Sequence, residues 1–158
     1  MTWLDLCNDK KLQDLPCKIE LNRAGRISLS LTRNRDGYFA SQIALLLDNL
    51  MDGGKTLVEC AIETNDSTKV ADVVWVSEER FATIINEASC SIAPEICVEV
   101  ISPSNSDGEI TTKQQLYLWA GAKEFWACDE RGRLEFFDAT GRRPRSGLCP
   151  AFPKELPI

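Results

Sequence analysis

The segment "APEICVEVISPSNS", residues 93 to 106, sets a single glutamate, Glu99, in the middle of a run that otherwise has the composition of a buried strand, and ends it at Pro103. A short apolar run bounded by turn residues reads as a core strand. Strand alternation puts Cys97, Glu99 and Ile101 on one face and Ile96, Val98 and Val100 on the other, so the carboxylate has apolar neighbours on both sides. Behind it, "SDGEITTKQQLYLWAGA" (106–122) carries the S-x-x-E pattern of a helix start in Ser106 and Glu109 and closes at Gly121. The expectation is a strand followed by a helix.

Working outward, "TLVECAI" (56–62) and "KVADVVWV" (69–76) are β-rich runs separated by the turn-prone "ETNDST", which predicts a hairpin. "GYFASQIALLLDNLMDGG" (37–54) sets Phe39, Ile43, Leu46, Leu47 and Leu50 at helical spacing, stops at Gly53-Gly54 and has Asp36 available to cap its start. "KIEL", "NRAG" and "RISLSLT" (18–32) predict a hairpin before that helix, and "SEERFATIINEAS" (77–89) reads as a short helix or an irregular loop. "EFWACD", "ERGR" and "LEFFD" (124–138) predict a closing hairpin, and the arginine-bearing tail from Gly141 reads as a solvated segment. The order is mixed α/β: one domain over residues 1–158, a central mixed sheet flanked by at least two helices, with N-terminal and C-terminal β-hairpins. At 158 residues and 44% hydrophobic content the chain can bury such a core.

Composition removes whole classes of chemistry. The chain contains no histidine, which excludes Ser-His-Asp and Cys-His catalysis, histidine-ligated zinc and any histidine base. Seven cysteines without a C-x-x-C pair read as reduced, mostly buried thiols. The net charge of −6 argues against broad nonspecific affinity for nucleic acid, though it leaves room for a local basic patch such as Arg131, Arg133, Arg142, Arg143 and Arg145. No apolar run reaches the length of a membrane span, and "MTWLDLCNDKKLQDLP" lacks the basic and apolar regions of a signal peptide, so a cytoplasmic protein without membrane contact is expected. Trp75, Trp119 and Trp126 read as core or interface packing residues.

Glu99 is one of three such acids. Asp72 shares a face with Val70, Val74 and Val76, and Glu59 shares one with Leu57 and Ala61. An ionised carboxylate inside an apolar strand costs several kcal/mol unless it is paired or bound to a cation. Two readings follow: edge strands whose acids reach solvent, or a divalent metal site, since two carboxylates on neighbouring strands make a minimal Mg²⁺ site. Neutralising either acid would then relieve strain in the metal-free protein. Lys113 falls on the inward stripe of the following helix with Tyr117; its stem either snorkels outward or its ammonium points at the end of the Glu99 strand, where it could act on an attacking water.

Taken together, "LPCKIELNRAGRISLS", "KVADVVWVS", "APEICVEVISPSNS", "EITTKQQLYLWAGAKEFWACDERGRLEFF" and "PAFP" resemble, in order and spacing over roughly residues 12 to 153, the bacterial Uma-two family of restriction-endonuclease-like proteins. That family is similar to a branch of the PD-(D/E)XK nuclease superfamily. The resemblance implies a restriction-endonuclease-like core and an endonuclease hydrolysing DNA with Mg²⁺, or Mn²⁺ in its place. It implies Asp72 and Glu99 as metal ligands, with the Val100 carbonyl helping, Lys113 as the lysine of the site, and Glu59 as a supporting acid at most. The pattern departs in three places. Ile101 stands where the superfamily lysine is usual, so the lysine role passes to Lys113; Asp36-Gly37 stands where relatives carry a histidine; and Ala71 replaces a proline before Asp72. The alternative implied is a catalytically silent DNA-binding or protein-interaction module of the same fold, with a homodimer also open.

Overall fold

The computed structural model describes all residues, 1–158. A short helix, α1 (Trp3–Cys7), capped by Thr2, leads to the hairpin of β1 (Cys17–Leu21) and β2 (Ile27–Leu31). Its register runs from Cys17 opposite Leu31 to Leu21 opposite Ile27, and the Asn22 side chain closes the turn by accepting from the Ala24 and Arg26 N–H groups. This hairpin is a two-stranded sheet of its own, outside the main one.

Helix α2 (Asn34–Leu50) buries Phe39, Ile43 and Leu47, the expected stripe. Asp36 caps the start of the helix as expected, but from inside it rather than from before it. It is the third helical residue, and its carboxylate reaches back to the Arg33 N–H at 3.1 Å and the Arg33 guanidinium at 2.9 Å. At the turn out of α2, Gly54 adopts φ +68°, and a Cβ there would lie 2.5 Å from the Trp75 ring, so only glycine fits.

The main sheet then forms from β3 (Lys55–Thr64), β4 (Ser67–Val76), β5 (Ile96–Val100), β6 (Glu124–Cys128), β7 (Leu134–Asp138) and β8 (Gly141–Arg143), in that spatial order. α3 (Glu78–Ile84), capped by Ser77, lies between β4 and β5, so "SEERFATIINEAS" is a short helix with a loop after it. All neighbouring strands are antiparallel except β5 and β6, whose parallel pairing requires a crossover. α4 (Asp107–Trp119) is that crossover, capped by Ser106, whose hydroxyl accepts from the Glu109 N–H at 3.2 Å.

The sheet separates two apolar layers. On one face α2 packs on Val73, Val98, Trp126 and Phe136; on the other, Ile84 of α3 and Tyr117 of α4 pack on Val74, Cys97 and Phe125. The tail corrects the sequence reading. Its arginines, Arg142, Arg143 and Arg145, are exposed as expected, but Cys149, Phe152 and Leu156 are buried in the α2 layer, so the segment is anchored to the core at three points rather than solvated throughout. Trp119 ends α4 with 66% of its surface exposed, so it is not a core residue and only the interface part of its expected role remains. Trp126 is fully buried and Trp75 half-buried. Five of the seven cysteines are buried, and none forms a disulfide.

Candidate active site

The register of three adjacent strands brings the three acids into one row. β3 and β4 pair Val58 with Val73 and Cys60 with Ala71, which leaves Glu59 opposite Asp72. β4 and β5 pair Val74 with Cys97 and Val73 with Val98, and the next step sets Asp72 opposite Glu99. There the ladder stops and the Asp72 side chain takes over, with Oδ2 accepting the Val100 N–H at 2.7 Å. Val100 therefore serves Asp72 through its amide. Glu59, at φ 50°, is exposed and lines the cleft without bonding to the other two acids.

Two lysines and a tyrosine meet the acids. Lys113 reaches from α4 to Glu99 Oε1 at 3.0 Å and to Glu20 Oε1 at 2.7 Å. Tyr117, one turn later on the same helical face, donates to Glu99 Oε1 at 2.7 Å. Lys18, from β1, bonds Asp72 Oδ1 and Glu99 Oε2, each at 3.1 Å, and stands 3.7 Å from Glu20. Glu20 also accepts the Val70 N–H at 3.1 Å, tying the separate hairpin to β4.

Lys18, Glu20 and the hydroxyl of Tyr117 are the members that sequence reasoning did not assign to the site. In "KIEL" the charged residues alternate with Ile19 and Leu21, which is also the pattern of any amphipathic strand with its charges in water. The one available signal was the K-x-x-x-Y spacing, which places Tyr117 on the Lys113 face.

Environment drives the two strand acids apart. Burial, reinforced by the Glu99 charge, pushes the Asp72 carboxyl up to about 7, with Lys18 and the Val100 amide only partly opposing it. Burial works on Glu99 in the same direction, but Lys113, Lys18 and the Tyr117 hydroxyl outweigh it and hold that carboxyl down at about 2. Burial disfavours a charged Lys18, yet Glu99, Asp72 and Glu20 together raise its pKa above the usual lysine value.

The cluster floors a cleft of about 270 Å³. It adjoins a larger groove of about 1150 Å³ between β2 and α4, sharing Ser30, Leu31, Ser102, Asn105 and Lys113 with it. Arg33, Lys69 and Lys113 in that groove are balanced by Glu20, Asp66 and Glu109, so charge in the groove is mixed rather than strongly positive.

Two carboxylate oxygens are donors of the hard kind that a divalent cation takes, and no third acid converges with them. Asp72 and Glu99 each have one oxygen fixed by protein donors, and the remaining Oδ1 and Oε2 converge on a single point. The Lys18 ammonium occupies that point.

A family model described as "Uma2: Putative restriction endonuclease" matches residues 7–148. Among solved structures, a crystal structure of a "putative nuclease belonging to DUF820" from Anabaena variabilis ATCC 29413 superposes with a TM-score of 0.76 at 16% identity, over 99% of this chain and 94% of that one. At that identity the likeness is one of fold. No curated protein matches the chain.

Proposed function

Because the chain belongs to the Uma2 family of "putative restriction endonucleases", we propose that it is a nuclease hydrolysing phosphodiester bonds in DNA with Mg²⁺, or Mn²⁺, held by Asp72 and Glu99. The observation that carries this reading is the convergence of Asp72 Oδ1 and Glu99 Oε2 on one point while their partner oxygens are locked by Val100 and Tyr117. When bound there, the ion would polarise the scissile phosphate and acidify a water. The Val100 carbonyl is a further candidate ligand. Lys113 bonds Glu99 from the α4 side, where its ammonium can orient the attacking water and stabilise charge that develops on the phosphate. The adjoining groove is the path for the substrate strand.

The test is incubation of plasmid and single-stranded DNA with Mg²⁺, with Mn²⁺ and with chelator. Metal-dependent cutting is expected, abolished in Asp72→Asn and Glu99→Gln. Lys113→Met should cut about a hundredfold more slowly or worse while still binding metal. A Lys113→Met protein cutting at the wild-type rate removes that residue from the mechanism.

One observation favours a second reading. Every carboxylate of the cluster is already paired with a lysine. A silent binding module of nuclease fold would need such neutralisation, and it would bind DNA or a protein with no cleavage under any metal.

A further inference from the structure

Lys18 stands in an unusual place for a lysine near two metal-binding acids. Lys113 and Tyr117 crowd Glu99 Oε1, and the Val100 amide takes Asp72 Oδ2, so these donors leave the converging oxygens free. Lys18 alone takes both converging oxygens, at 3.1 Å each. Its side chain keeps only 10% of its surface exposed, so the ammonium is committed to that point and is not a surface charge resting nearby.

We propose that Lys18 is a built-in counter-cation. It holds Asp72 and Glu99 together in the metal-free protein, must leave their meeting point before a divalent ion enters, and thereby sets the metal affinity of the site. The inference rests on the reading of Asp72 and Glu99 as a metal-binding pair. An ammonium and a divalent cation cannot share one point, since both are positive and both need the same two oxygens. Displacement need not disturb the main sheet. Lys18 lies on a hairpin with no backbone ladder to the main sheet. Glu20 lies 3.7 Å from the ammonium through Oε1, which already holds Lys113 and the Val70 amide, and its other oxygen is the acceptor that a displaced Lys18 would take. Asp72 and Glu99 would exchange one cation for another without moving their strands.

The test compares Mn²⁺ binding, by calorimetry and by the electron paramagnetic resonance of free Mn²⁺, in wild type, Lys18→Met and Lys18→Gln, together with melting in chelator and in saturating Mn²⁺. Removing a charge-assisted competitor should tighten Mn²⁺ binding about tenfold or more. In chelator Lys18→Met should melt below wild type, and Mn²⁺ should close that gap; a lysine with a purely structural role would leave the gap open in both conditions. Should Lys18→Met fail to fold without metal, Lys18→Gln, which keeps a donor without the charge, and a wild-type crystal soaked in Mn²⁺ decide the matter. The soak should show the ion between Asp72 and Glu99 with Lys18 swung away. Equal or weaker Mn²⁺ affinity in the variants, or an ion seated with Lys18 unmoved, overturns this inference alone. No Mn²⁺ binding by wild type or any variant overturns it together with the metal reading.

Discussion

Asp72 and Glu99 are neighbours of similar chemistry with opposite energetics, because their partners differ. Glu99 receives two ammonium groups and a phenol, whereas Asp72 has a share of Lys18 and one amide. The expectation that neutralising either acid relieves strain therefore splits. Glu99 is held at about 2, below its ordinary 4.5, so its stabilising contribution is complete above pH 4.5 and is lost as pH falls toward 2. Glu99→Gln at neutral pH should cost about 3 kcal/mol, as expected for breaking a buried pair. Asp72 is raised from 3.8 to about 7, so the folded state binds its proton more tightly than the unfolded chain and loses stability as pH rises from 4 to 7. Asp72→Asn in chelator should remove that loss. Above pH 7 it should stabilise by roughly 1–2 kcal/mol, some 2–8 °C in melting temperature, and the advantage should vanish near pH 4. Denaturant melts across that pH range check both signs; an Asp72→Asn protein less stable than wild type at pH 8 would contradict the assignment.

The elements themselves were largely legible. α2 and α4 announce themselves by apolar spacing, caps and terminal glycines, and β4 and β5 by dense β-branched runs, which is where local preference and tertiary packing agree. The role of the β1–β2 hairpin was not legible, because Lys18 and Glu20 point at the acid row only once the hairpin is docked. What docks it is the burial of Leu21 together with a small set of polar links: Glu20 to the Val70 amide and Lys113, Lys18 to the strand acids, and Asp66 to the Arg23 amide. Glu20→Gln weakens two of these at once and leaves the main sheet intact. Hydrogen exchange should then accelerate in residues 17–31 alone, with global stability falling by about 1–2 kcal/mol. Uniform acceleration through β4 and β5 would mean that the hairpin is part of the cooperative core.

At the scale of the whole molecule, the least legible feature is how the chain ends. Cys149, Phe152 and Leu156 are separated by prolines and follow no period, so nothing in the pattern distinguishes them from a surface tail. Glu124, at the start of β6, binds the chain just before them. Its Oε1 accepts the Gly147 and Leu148 amides at 2.7 and 2.8 Å, and its Oε2 accepts the Ser146 hydroxyl at 2.6 Å and the Trp126 indole N–H at 2.7 Å. One carboxylate thus fastens the tail to the central sheet and satisfies a buried polar group completely. Gly132 completes the seat: at φ +82° a Cβ would stand 2.7 Å from the Leu156 carbonyl oxygen, so the tail lies directly on the β6–β7 turn. Glu124→Ala leaves four donors without their acceptor and should cost about 3 kcal/mol or more. The loss should be local before it is global. In wild type only the exposed Cys7 and half-buried Cys17 should react quickly with a thiol reagent. In Glu124→Ala, Cys149 should join them while Cys60 and Cys97 stay protected, because those two lie in the opposite apolar layer. Mass mapping of the labelled thiols reads this directly. Cys149 remaining as slow as in wild type would show that apolar packing of Phe152 and Leu156 suffices to hold the tail, and that the carboxylate only fills a niche the fold would keep without it.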